Sequence, residues 1–175
     1  MKKLITIITI ALGMNAVAQK GEAFPALEGM SLANKYIGLP YKNGKKTVIG
    51  VAYSRAAEKD LKKWLNPLYN TFMVKPGDTK NFDVAEIYDV NFVFIPVIAG
   101  MQQVIDDFKA GTDKEFWPYI MDTKKADMKK IKEGLKAPDE KAPYFYVLDA
   151  GGKIIEFVSG AFSEEKMDKL EEAAE

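Results

Sequence analysis

Hydrophobic and polar positions divide the chain into segments of distinct period. Thr47 to Tyr53 is continuously apolar or β-branched, the pattern of a strand covered on both faces. From Ala56 the period changes. Ala57, Leu61, Trp64, Leu65, Leu68 and Phe72 recur at steps of three and four, with lysines and acids on the other face, which predicts a helix packed on the sheet. Pro67 lies inside that helix and predicts a kink, because it removes one backbone hydrogen bond, and Pro76-Gly77 predicts the end of the segment.

Asp89 to Ile98 (DVNFVFIPVI) predicts a second buried strand closed by Pro96, and Met101 to Phe108 a short helix ended by Gly111. Phe116 to Met121 (FWPYIM) is assigned a third, short strand, and Asp122 to Leu135 a lysine-rich helix with Met128, Ile131 and Leu135 as its thin apolar face. Pro143 to Gly160 (PYFYVLDAGGKIIEFVSG) predicts two strands joined at Asp149 to Gly152, where two glycines permit the positive φ of a tight turn. Ser163 opens a terminal helix with Met167, Leu170 and Ala174 toward the core. Gly21 to Pro40 is expected as an extended lead-in, held by Phe24-Pro25 and Leu39-Pro40, and Asn43-Gly44 as a turn.

The first 18 residues differ from the rest. Lys2 and Lys3, an apolar stretch from Leu4 to Leu12, and Ala16-Val17-Ala18 before Gln19 form the pattern of a cleavable secretory signal peptide. The apolar run is interrupted by Thr6 and Thr9 and falls short of the roughly 20 residues that span a bilayer, so no stable membrane insertion is expected after cleavage. Residues 19–175 are then a single domain, periplasmic or secreted, with a core large enough to need no disulfide. Removing Lys2 and Lys3 leaves 23 basic against 25 acidic side chains, a balance that predicts no nucleic-acid partner.

Composition then limits the chemistry. The chain has no cysteine and no histidine, which removes the commonest thiol nucleophile and the commonest neutral-pH base together. There is no phosphate loop, no zinc spacing and no catalytic triad, and the acids at Asp106-Asp107 and Asp113 to Glu115 do not match a calcium loop. No metal or cofactor is expected.

The order of strand, helix, strand, helix, then proline, β-hairpin and terminal helix resembles the thioredoxin fold, and KAPYFYVLDAGGKIIEFVSG carries the resemblance in detail. Pro143, Asp149, Gly152 and Gly160 stand where secreted thiol-disulfide and peroxiredoxin-like proteins have a proline, a strand ending in Asp, a glycine turn and a strand ending in Gly. The lead-in FPALEGMSLANKYIGLP is similar to that of peroxiredoxin-like proteins. The resemblance implies an α/β fold with a central mixed β-sheet flanked by α-helices, a cis Ala142-Pro143 bond, and a proline loop facing the start of the first helix. It also implies that this loop aligns extended peptides through its backbone.

The departure lies at the junction of central strand and first helix, where redox members keep a Cys-x-x-Cys or a single peroxidatic cysteine. Here the junction reads YSRAAEKD, and none of Ser54 to Asp60 can exchange a disulfide. Thiol-disulfide oxidoreductase and thiol peroxidase activities are excluded. The leading expectation is a redox-inactive binding or chaperone-like accessory protein whose partner is another envelope or secreted protein, or an extended peptide. Its candidate surface is Tyr53, Ser54, Arg55 and Glu58 opposite Ala142, Pro143 and Tyr144. Arg55, the one arginine of the chain, stands beside free N–H groups at a helix start, where an anion or carboxylate is well received. Two alternatives remain. One is a non-thiol enzyme using the Ser54/Arg55/Lys59 region, with Ser54 as nucleophile and Lys59 as its base. The other is a structural subunit that contacts a partner through FVFIPVIAGM, Phe92 to Met101.

Overall fold

The computed structural model describes residues 20–73, 88–96 and 102–175. The leader assigned to residues 1–18, the Pro76-Gly77 stop and the stretch from 97 to 101 lie outside the described residues.

A four-stranded mixed sheet forms the centre, in the order β4-β3-β6-β7. Its strands are β3 (Thr47–Val51), β4 (Asn91–Ile95), β6 (Tyr144–Leu148) and β7 (Ile154–Ser159). β3 runs parallel to β4 and antiparallel to β6, with Gly50 opposite Phe94 on one side and Phe145 on the other. Successive side chains point to opposite faces of a strand. Val48, Phe92, Phe94, Phe145 and Val147 therefore enter one core, with helices α1 (Arg55–Phe72) and α4 (Glu164–Ala174). Ile49, Val51, Val93, Ile95, Tyr144, Tyr146 and Leu148 enter a second core, with α3 (Lys125–Leu135). Burial on both faces is the physical reason that these strands read as unbroken apolar runs.

Helix α1 buries Ala57, Leu61, Trp64, Leu65, Leu68 and Phe72, the stripe that the three-and-four spacing predicts. It is one continuous helix through Pro67. Helix α2 (Gln102–Ala110) ends at Gly111, and α4 turns Met167, Leu170 and Ala174 inward as expected.

Four expectations are corrected. The lead-in is a β-hairpin, β1 (Leu27–Ser31) and β2 (Tyr36–Leu39), which forms a second sheet in the order β2-β1-β5 with β5 (Met121–Asp122). One face of the hairpin is covered: Leu27, Ile37 and Leu39 are buried while Glu28 and Tyr36 face out. The FWPYIM segment is mostly a 3₁₀ turn, Lys114–Tyr119, because Pro118 cannot donate to a ladder and its fixed φ suits the tight helix; only Met121 and Asp122 pair as a strand. Asp122 is thereby taken by β5, and α3 starts later, at Lys125. Of the two hairpin glycines only Gly152 adopts positive φ, at +83°.

Candidate functional site

The β3–α1 junction is built by a helix cap. Ser54 is extended at φ −151°, and its hydroxyl accepts the Ala57 N–H at 3.2 Å, satisfying one of the free donors of the first turn. The same hydroxyl donates to the Glu140 carbonyl at 2.6 Å, which ties the helix start to the loop between α3 and β6. Ser54 and Ala57 are three residues apart at the N-terminus of α1, the spacing of a Cys-x-x-Cys, and hold an alcohol and a methyl group there.

The loop is fixed by its own bonds. Lys136 closes α3 in the left-handed conformation, Glu140 pairs with Lys132 at 2.5 Å, and the Tyr144 hydroxyl accepts the Asp139 N–H at 3.0 Å. The Pro143 carbonyl accepts the Gly160 N–H at 2.9 Å. The loop thus faces the start of α1, as the resemblance implies. The isomer does not follow it: among the described residues the cis bond is Leu39–Pro40, and Ala142–Pro143 is trans. Trans is the default for an X–Pro bond by about 0.5–1 kcal/mol, and tertiary contacts alone decide the exceptions.

The structure divides the predicted site residues. Arg55 is exposed, Ser54 and Ala142 are half-buried, and the three belong to one accessible surface. Pro143 and Tyr144 are buried, and Tyr53 is half-buried with its hydroxyl enclosed. Tyr144 packs edge-on to Tyr53 at 5.8 Å and stacks on Tyr146 at 6.2 Å, so it is core, and its removal is a stability change rather than a test of binding. Burial lifts the phenols of Tyr53 and Tyr146 far above the usual tyrosine range. Neither hydroxyl completes a regular hydrogen bond. Glu140 and Lys141, which complete the surface, carry no sequence signal, because the decisive contact is made by a backbone carbonyl.

Glu58 is the unusual member. It is 7% exposed, with one carboxylate oxygen 3.9 Å from the Arg55 guanidinium and the other buried without a hydrogen-bond partner. Burial raises its pKa above the ordinary glutamate value, while the charges of Arg55 and Lys62 pull it down. A carboxyl whose folded pKa exceeds its unfolded one binds more protons when folded. Its burial therefore costs stability at neutral pH, and the cost vanishes as pH falls to the unfolded value of about 4.3. Glu58→Gln is expected to melt higher than wild type at pH 7, with the two curves converging in acid. A variant that melts lower at pH 7 would mean that the Arg55 contact outweighs the desolvation.

Among the described residues no group of three or more acids could hold a metal ion, and no helix is long and apolar enough to cross a membrane. Phe92 to Ile95 of the FVFIPVIAGM stretch are buried in β4, which leaves that part of it no free surface for a partner.

No protein-family model matches the chain, and neither does any curated protein. Solved structures do match. The thioredoxin domain of a thiol-disulfide oxidoreductase from Bacteroides vulgatus is similar at a TM-score of 0.62 and 17% identity, over 89% of this chain and 98% of that one. A thiol:disulfide interchange protein of the thioredoxin family from Chlorobium tepidum gives 0.53 and 14%, over 89% and 98%. Yeast Sco1 gives 0.53 and 15%, over 89% and 94%. At these identities the likeness is one of fold: the chain is a thioredoxin-like-fold protein, and without a cysteine it has no thiol-disulfide chemistry.

Proposed function

We propose that the protein is a binding or accessory, chaperone-like module of the cell envelope or secreted space, and that it holds an extended segment of another protein against the α1 start and the loop from 136 to 143. The observation that carries this reading is the Ser54 bridge. One hydroxyl caps α1 and grips the Glu140 carbonyl, so helix start and loop form a single surface without any thiol. Arg55 stands exposed on that surface beside the first-turn N–H groups, suited to a carboxylate on the partner. The leader pattern of residues 1–18 supports the location. The enzyme alternative finds less support, because the Ser54 hydroxyl is committed as both donor and acceptor and is not a free nucleophile.

The test is affinity capture from native cell envelope, with wild type, Arg55→Ala and Lys141→Glu as baits and the captured partner then measured by titration. A charged hydrogen bond is worth about 1.5–3 kcal/mol, so Arg55→Ala should weaken the partner about tenfold or more; because Arg55 also offsets the burial of Glu58, the titration is run below the onset of melting of each variant. A partner held equally by wild type and both variants would remove this surface from consideration.

A further inference from the structure

Asn43-Gly44 lies between β2 and β3, at the opposite end of β3 from Ser54, and both residues are exposed. No other asparagine of the chain precedes a glycine. An asparagine in that position is chemically labile, because the backbone nitrogen that follows can attack its side-chain carbonyl carbon, and a residue without Cβ leaves that nitrogen uncrowded. Gly44 meets those conditions. It stands at φ +78°, a Cβ placed on it would find nothing within 4 Å, and its N–H donates to no acceptor among the described residues.

The Asn43 side chain, by contrast, is held. Its Nδ2 donates to Asn91 Oδ1 at 2.7 Å, Asn91 Nδ2 donates back to Asn43 Oδ1 at 2.9 Å, and the Lys45 N–H donates to the same oxygen at 3.3 Å. Asn91 is itself fixed at the start of β4: its N–H donates to the Lys46 carbonyl at 2.9 Å and its Nδ2 to Thr47 Oγ1 at 3.2 Å. Carrying Asn43 Cγ onto the Gly44 nitrogen turns the amide about its χ angles, and a pair closed by two directional bonds does not survive that turn. Asn91 therefore restrains the reaction.

We propose that Asn43-Gly44 is a site of self-modification by deamidation, and that the amide pair with Asn91 sets its rate in the folded chain. The Gly44 nitrogen bonds to Asn43 Cγ and gives its proton to solvent, the Cγ–Nδ2 bond breaks, and ammonia leaves from a five-membered succinimide. One water then opens the ring at either carbonyl, to aspartate or isoaspartate. Nothing is oxidised or reduced; one water is taken up, one ammonia is released, and the turn gains one negative charge. The product carboxylate has no N–H to return to Asn91 Oδ1, and it lies beside Lys45, which already pairs with Asp89. Modification thus loosens the tie between the turn and β4.

The test is prolonged incubation of the chain and of Asn91→Ala in neutral buffer below the melting range, with the acidic product separated by ion exchange and located by peptide mass spectrometry. Conversion is expected at Asn43 ahead of every other asparagine. Loss of two neutral hydrogen bonds frees the side chain about tenfold or more, so folded Asn91→Ala, checked by circular dichroism, should convert faster than wild type by that factor. In guanidinium chloride the two chains should convert at one rate, since the pair exists only in the folded state. Equal rates for the two folded chains overturn the proposal. So does a first conversion at another asparagine, or a difference between the chains that persists in guanidinium chloride.

Discussion

Replacing Trp64 with alanine is expected to cost about 3–5 kcal/mol, the range for emptying a fully buried aromatic site. Trp64 is 0% exposed and stands where α1, the sheet and the start of α4 meet. Its ring lies 4.3 Å from that of Phe145 and 5.1 Å from that of Phe162, and its indole N–H donates to the Gly160 carbonyl at 3.1 Å. That last bond joins α1 to the end of β7, on the segment whose Gly160 N–H also holds Pro143. Trp64→Phe keeps most of the packing and loses the bond, so it should cost less, about 1–3 kcal/mol for the carbonyl left without its donor. Urea unfolding of both variants decides the matter; an alanine variant within about 1 kcal/mol of wild type would show that α1 is not held by this ring.

The second large effect is expected at Gly152, where substitution by alanine should cost about 2–5 kcal/mol. Two penalties combine there. The backbone is left-handed at φ +83°, which an L side chain adopts at about 1–2 kcal/mol. A Cβ would also lie 2.5 Å from Cγ and 2.7 Å from Cβ of Pro40, atoms of a rigid ring that cannot swing aside, and overpacking of this kind costs about 1–3 kcal/mol. Gly152 is besides a point of attachment for the N-terminal segment, since its carbonyl accepts the Phe24 N–H at 2.9 Å. Gly151→Ala, one residue earlier at ordinary φ and with Asp149 Oδ1 at 3.3 Å as its nearest neighbour, is the control and should be nearly neutral. Equal melting temperatures for the two variants would disprove the steric argument.

Much of the central architecture was legible in the chain because burial dictates composition locally. A strand covered on both faces must be apolar throughout, as Val48 to Val51, Phe92 to Ile95 and Tyr144 to Leu148 are. A helix on a sheet must repeat its apolar side chains every three or four residues, as Leu61, Trp64, Leu65 and Leu68 do. Ser54 stands one residue before the helix, and the N–H that it satisfies is only three residues away, so its cap is a local contact. The β1–β2 hairpin was harder to see, because only one of its faces is buried and glycines hold two of its nine strand positions.

The candidate surface was legible only in part. Arg55 and Ser54 stand where the junction placed them, but Tyr144 turned inward: its position in β6 directs it to the core of α3, and an alternating aromatic does not announce which face is covered. Glu58 gave no warning of its burial, which follows from the side on which α1 meets its neighbours.

By itself, then, the sequence determined the central strands and the amphipathic helices, the thioredoxin-like order and the exclusion of thiol chemistry, all of which depend on residue type and near-neighbour spacing. The tertiary structure decided the rest: the pairing of β1 with β5, the isomer at Pro143, the burial of Glu58 and Tyr144, and the joining of Ser54 to Glu140. Each of those is a contact between residues distant in the chain or a choice between two states of nearly equal local energy, and only the packed molecule selects it.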